Sequence, residues 1–101
     1  MSVVTCLELV YGAWKSQRAD ANLEKIEELR LIIPVLPLET AVATHYGRVR
    51  TGLEKKGSPI GGYDLLIASH ALSLGLTLVT NNVREFGRVE GLRLENWAEA
   101  V

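Results

Sequence analysis

Cysteine is nearly absent from this chain. Cys6 is the only one in 101 residues, which excludes an internal disulfide and a thiolate zinc cage and suits a reducing compartment. Net charge is equally scarce: 11 basic side chains face 12 acidic ones, for a formal value of −1. No long-range field therefore favours or disfavours nucleic acid, and any such binding has to come from local clusters of basic residues. No apolar run approaches the roughly 20 residues that cross a bilayer, and no charged segment leads into an apolar one as in a secretory signal. The expectation is a cytoplasmic protein with no membrane contact. What the chain does have is apolar mass, 48% of its residues, which excludes a disordered tail. Residues 1–101 read as a single domain able to bury its own core, with no internal repeat, low-complexity tract or linker.

Periodicity supplies the elements. Ser2 to Thr5 reads as the tail of a buried strand, and from Cys6 the positions Leu9, Val10, Ala13 and Trp14 recur at helical spacing. A second helix is expected from Ala19 to Leu31, with Leu23, Ile26 and Leu29 inward and Glu24, Lys25, Glu27, Glu28 and Arg30 outward. Ile32 to Leu38, broken by Pro34 and Pro37, is an edge strand or an extended connection. The most regular helix starts at Glu39, where Val42, Tyr46, Val49 and Leu53 share a face and Gly57 marks the stop. Pro59, Gly61 and Gly62 form a loop, Asp64 opens the next helix, and Gly75 closes it. Leu76 to Thr80 suits a strand covered on both faces. Val83 to Val89 reads as an irregular turn or short helix, and Leu92 to Leu94 as a final strand leading to Trp97. Short strands alternating with helices imply an α/β layer with parallel pairing.

In such sheets functional groups collect at the carboxyl ends of strands. Glu8 lies just after the first strand, Asp64 heads the helix before the next one, and Asn81, Asn82 and Glu85 follow its end at Thr80. Taken singly, each has an ordinary explanation. Glu8 is a surface acid favoured by the helix dipole, and Asp64 is an N-cap. Asn81 and Asn82 are turn formers that tolerate left-handed backbone angles, and Glu85 is a solvated acid. Taken together they are carboxylates from different strand ends, which can converge on a hard divalent cation such as Mg²⁺. That cation can deprotonate a water and neutralise charge on a phosphodiester. Lys15, Arg48, Arg50, Lys55, Lys56, Arg84 and Arg88 are candidates for holding a nucleic-acid backbone, although each taken singly reads first as part of an ordinary solvated helix face.

Two blocks carry a resemblance: VTCLELVYGAWKSQ, and PIGGYDLLIASHALSLGLTLVTNNVREFGRVEGLRLENW. In their order of PIG, aspartate, LIA, H-A, LVTNN, REF and E-N-W, they resemble the VapC-type PIN-domain ribonucleases, toxins of bacterial toxin–antitoxin pairs. The resemblance implies a PIN-like three-layer α/β fold with a short parallel sheet flanked by helices. It matches Glu8 and Asp64 to metal-ligating acids and Asn82 to a fourth position that is often aspartate. There Asn82 offers an oxygen without charge, and Glu85 partly replaces it. Thr80 matches a small hydroxyl residue beside the site, with Asn81 next to it. The implied chemistry is hydrolysis of RNA, a tRNA among the candidates, by water activated on Mg²⁺ or Mn²⁺, with Glu8, Asp64 and Asn82 as the catalytic set. The implied partners are a VapB-like antitoxin and a second copy in a homodimer.

The sequence also departs from the family pattern. An L-D-T-N-like segment, which in the family supplies a first aspartate on the central strand, is missing. The expectation is an N-terminally shortened domain, marginally folded and impaired in cleavage when alone. The contrasting reading is a non-catalytic remnant that binds antitoxin or full-length toxin. A Rossmann-like ligand domain is disfavoured, because Gly61 and Gly62 belong to no G-x-G-x-x-G or G-K-[ST] pattern. His45 and His70 are read as structural or surface residues, and Trp14 and Trp97 as core.

Overall fold

The computed structural model describes residues 1–96; Trp97 lies outside them. The chain forms two compact units, residues 1–38 and residues 39–101.

In the first unit, α1 (Val3–Lys15) packs along α2 (Ala19–Ile32). The expected strand at Ser2 to Thr5 is corrected here, since helix begins at Val3 despite the β-branched run Val3, Val4 and Thr5. Ser2 supplies the reason. Its Oγ accepts the Val4 N–H at 3.1 Å, an N-cap that outweighs local strand propensity. Only Ser2 keeps extended pairing, through a parallel bridge to Leu36, with Val3 N–H donating to Leu36 O at 2.9 Å and Leu36 N–H to Met1 O at 2.7 Å. The segment from Ile33 to Leu38 is thus an extended connection. α2 begins and ends close to expectation, with Ile26 buried and Leu23 and Leu29 half-buried on its inner face. On α1 the buried residues are Val4, Cys6 and Ala13, whereas Trp14 is 66% exposed, which corrects its reading as core.

In the second unit, α3 (Ala41–Lys55) packs on α4 (Gly62–Leu74). Val42, Val49 and Leu53 are buried on one face of α3 as their spacing requires. The helix stops at Gly57, whose φ of 68° is left-handed. There the Gly57 N–H reaches Glu54 O and the Ser58 N–H reaches Leu53 O, which satisfies carbonyls that the helix leaves unpaired. α4 ends in the same way at Gly75, with φ 64°. Its Gly75 N–H donates to Leu72 O and the Leu76 N–H to Ala71 O. The core gathers Val49, Leu53, Leu65, Ala68, Phe86 and Val89.

β1 (Leu78–Val79) pairs in parallel with β2 (Leu94–Glu95), flanking the short α5 (Val83–Phe86). The parallel α/β reading holds. Coverage of the expected strand Leu76 to Thr80 on both faces does not: the strand is only Leu78–Val79, Val79 is 44% exposed and Leu76, outside it, 48%.

Candidate active site

Asp64 is not the N-cap that the loop PIGG suggests. Helix α4 already includes Gly62, with Gly61 as N-cap at φ −59° and ψ 151°, and Asp64 is the third helical residue. The Leu65 N–H bonds Gly61 O at 2.9 Å and closes the first turn, so two adjacent glycines do not prolong the loop. An acid at this third position ordinarily reaches back to the N-cap N–H, as in a capping box. Here that donor is taken by another residue: the Gly61 N–H bonds Glu85 Oε1 at 2.7 Å.

Glu85 sits on α5 and is half-buried, not the solvated acid its sequence context suggests. Its Oε2 accepts the Asn82 side-chain amide at 2.8 Å, and the Asp64 side chain hydrogen-bonds it as well. The Gly61 N–H, then Asn82, hold the Glu85 carboxyl below its ordinary value of 4.5, and Asp64 and the nearby Arg88 guanidinium act in the same direction. Arg88 also donates to Pro59 O at 3.2 Å, which pins the loop that leads to Gly61.

Asn82 is the N-cap of α5, and its backbone N–H donates to Thr80 Oγ1 at 3.0 Å. Neither Asn81 nor Asn82 takes a left-handed backbone angle; among the described residues only glycines do. With its amide nitrogen on Glu85, Asn82 has its carbonyl oxygen to offer a ligand. Asp64, Thr80, Asn82 and Glu85 are thus joined at one end of β1, held by two helix starts and one strand end. The centrality of Glu85 was only partly legible. Its spacing of three from Asn82 is that of a capping box, whereas its bond to Gly61 spans 24 positions.

Glu8 belongs to the first unit. It is the sixth residue of α1, beyond the first turn, so the helix dipole does not account for it. It is exposed and lines a groove of about 380 Å³ with Gly12, Ala13, Asn22, Lys25 and Ile26. Several of the basic candidates are engaged elsewhere. Lys15 lies over the Tyr11 ring, 5.5 Å from its centroid. Arg50 is committed to Glu54 at 2.8 Å and to the Tyr46 hydroxyl at 3.0 Å. Arg48 meets His45 Nδ1 at 3.4 Å, and Arg84 is exposed on α5. His70 is buried, in keeping with a structural role.

Among the described residues no three His, Cys, Asp or Glu side chains gather as a metal-ligand group. The donors that do meet are two carboxylates with an amide and a hydroxyl beside them, all hard oxygen groups. Such a set suits Mg²⁺ or Mn²⁺ held with several waters, and suits neither zinc nor copper.

Acids gathered at the end of a strand in a parallel α/β unit define a candidate nuclease site, and the family of the chain agrees with it. The PIN domain profile matches residues 1–92, and the chain belongs to the PIN-domain family. Its relatives include the tRNA(fMet)-specific endonuclease VapC of Shigella flexneri, 51% identical over 98 residues that cover 97% of this chain and 74% of that protein. The tRNA(fMet)-specific endonuclease VapC of Salmonella typhimurium is 46% identical over 97 residues, covering 96% and 74%. Among solved structures, VapBC-1 from nontypeable Haemophilus influenzae matches with a TM-score of 0.93 and 42% identity, covering 97% of this chain and 73% of that one. No helix among the described residues is long and apolar enough to cross a membrane.

Proposed function

We propose that this chain is an endoribonuclease of the VapC type, a metal-dependent hydrolase of RNA phosphodiester bonds and the toxin half of a toxin–antitoxin pair. The observation that carries the reading is the 51% identity, over nearly the whole chain, to an endonuclease named for a tRNA. The oxygen-rich group Asp64, Glu85, Asn82 and Thr80 supports it. Its substrate is RNA, a tRNA first among candidates, and its partner a VapB-type antitoxin, since the similar solved structures are of VapBC. A homodimer and a cytoplasmic site of action belong to the same reading.

Asp64 would hold the cation, with Asn82 and Thr80 beside it, and Glu8 is matched to a metal-ligating acid by the resemblance of its motif alone. Mg²⁺ or Mn²⁺ supplies charge neutralisation at the phosphodiester and acidifies the attacking water. Glu85, whose carboxyl is held below its ordinary value, stays ionised, orients Asp64 and Asn82, and repels a second anion from their side of the site. Asn82 offers a neutral oxygen, and Thr80 fixes it by accepting its backbone N–H. On this reading the attacking group is water, and the chain's own residues position and hold charge without a covalent enzyme intermediate.

Calorimetric titration with Mg²⁺ and Mn²⁺ tests the proposal. Binding that is lost in Asp64→Asn and weakened in Glu8→Gln supports it, together with metal-dependent cleavage of tRNA that fails in Asp64→Asn. An unchanged isotherm in Asp64→Asn overturns it. The competing reading, a module that binds antitoxin without cutting, draws on the lack of a third carboxylate beside Asp64 and Glu85 among the described residues. Absence of metal binding in the parent chain would favour that reading.

A further inference from the structure

The second unit has a cavity of about 230 Å³ separate from the Asp64–Glu85 pair, lined by Arg48, Gly52 and Leu53 of α3, by Lys56 at its C-cap, and by Arg88 and Glu90 beyond α5. Three basic residues line it against one carboxylate. None of the three pairs with a described carboxylate at ion-pair distance, whereas Arg30 and Arg50 elsewhere do so with Glu27 and Glu54. Cations brought together without counter-charges repel one another, and an anion among them relieves that repulsion. Arg88 connects this cavity to the acidic group, since it bonds Pro59 O and also acts on Glu85.

We propose that the Arg48–Lys56–Arg88 cavity is a subsite for a phosphodiester of the RNA strand other than the one cleaved. This rests on the ribonuclease reading for its choice of anion. An RNA that lays one phosphate at the carboxylates carries further phosphates along the same strand, and the cavity supplies the positive charge that the carboxylates lack. Arg88, tethered through one nitrogen, has further N–H donors for a phosphate oxygen. Lys56 contributes a mobile point charge from the end of α3, and Arg48 a second planar fork. Contacts of this kind fix the strand's register and are indifferent to base sequence.

The test is binding of a labelled tRNA fragment to the full chain in an Asp64→Asn background, where it is not cut, over a range of salt concentrations. Arg48→Gln/Lys56→Gln lowers affinity roughly tenfold or more near about 0.1 M salt, and reduces the slope of log affinity against log salt by about 1.4, at about 0.7 per lost contact on a single strand. Arg30→Gln, a cation already paired with Glu27, leaves the slope unchanged. Both altered side chains are exposed, and circular dichroism checks that the double variant is folded. Equal affinity and slope in the double variant overturn the subsite, and so does polyglutamate competing as well as RNA at equal charge, which would make the cavity a site for acidic protein. If the parent chain binds no metal yet RNA affinity still depends on Arg48 and Lys56, the subsite stands while the nuclease reading fails. If it binds metal and cuts RNA without that dependence, the subsite fails alone.

Discussion

The Gly61 N–H donates to Glu85 Oε1 at 2.7 Å, and this bond ties the start of α4 to α5 across 24 positions of chain. It does for α4 what an acid three residues inside the helix ordinarily does, and it places the Asp64 carboxyl against Glu85. The acidic group is therefore built by capping geometry, and its pieces respond to substitution in separable ways.

Glu85→Gln keeps an acceptor for Gly61 and removes the charge. The Glu85 carboxyl is held below 4.5 in the folded chain, so the fold binds its proton less readily than the unfolded chain does. The stability this contributes is fully present above about pH 4.5 and is lost as pH falls through the lower folded value. Solvent screening at this half-exposed group keeps the difference from Glu85→Gln below about 1 kcal/mol. Urea unfolding of both proteins between about pH 3 and pH 7 should show the two curves separate above the carboxylate range and merge below it.

Asp64→Asn should uncouple stability from metal. Without metal the variant loses a favourable acid in the first turn of α4, worth about 0.3–1 kcal/mol. With metal the parent gains about 2.7 kcal/mol at roughly one hundred times Kd, and the variant gains nothing. Thermal melts with and without Mg²⁺ read both. A Tm that rises equally in parent and variant would place the cation away from Asp64.

Much of the fold was legible because its signals are local. Val42, Val49 and Leu53 share a face whatever surrounds them, and Gly57 and Gly75 stop helices by their own left-handed angles. The misreadings come from competition between local signals. The run Val3, Val4 and Thr5 favours a strand, yet a serine cap before it turns it helical. Gly61 and Gly62 suggest loop, yet the second already lies in the helix. Trp14 looks like core on periodicity and is exposed on α1. Asp64 and Asn82 could be picked out one by one, but the role of Glu85 in joining them depends on a long-range backbone contact that no spacing encodes. Trp97, read as core, falls outside the described residues.

Gly87→Ala should damage the site by moving α5. A methyl at Gly87 would lie 2.6 Å from Val83 O, the carbonyl that accepts the Gly87 N–H at 2.8 Å. That neighbour is backbone, so the short helix has to shift, and Phe86, buried in the core, shifts with it. The expected cost is about 1–3 kcal/mol, as for other forced contacts in packed regions. Urea unfolding measures it, and hydrogen exchange at the Gly61 amide should quicken as Glu85 moves out of reach.

Gly61→Ala should do the reverse, sparing the fold and injuring the site. The backbone at Gly61, φ −59° and ψ 151°, is open to alanine, and a methyl there would sit 3.6 Å from Glu85 Oε1 and 3.8 Å from Asp64 Oδ2, ordinary contact distances. Replacing glycine where its angles suit alanine stabilises by about 0.4–1 kcal/mol through the unfolded chain, and at this N-cap, where alanine is less favourable than glycine, a loss of similar size offsets it. The same methyl lies against one oxygen of each carboxylate and removes water from the side on which a hydrated cation would approach Asp64 Oδ2. Urea unfolding should therefore show a stability close to the parent's, while calorimetry shows weaker Mg²⁺ binding. Metal affinity equal to the parent's, in a protein this well folded, would mean that the oxygens facing Gly61 are not the ones that hold the ion.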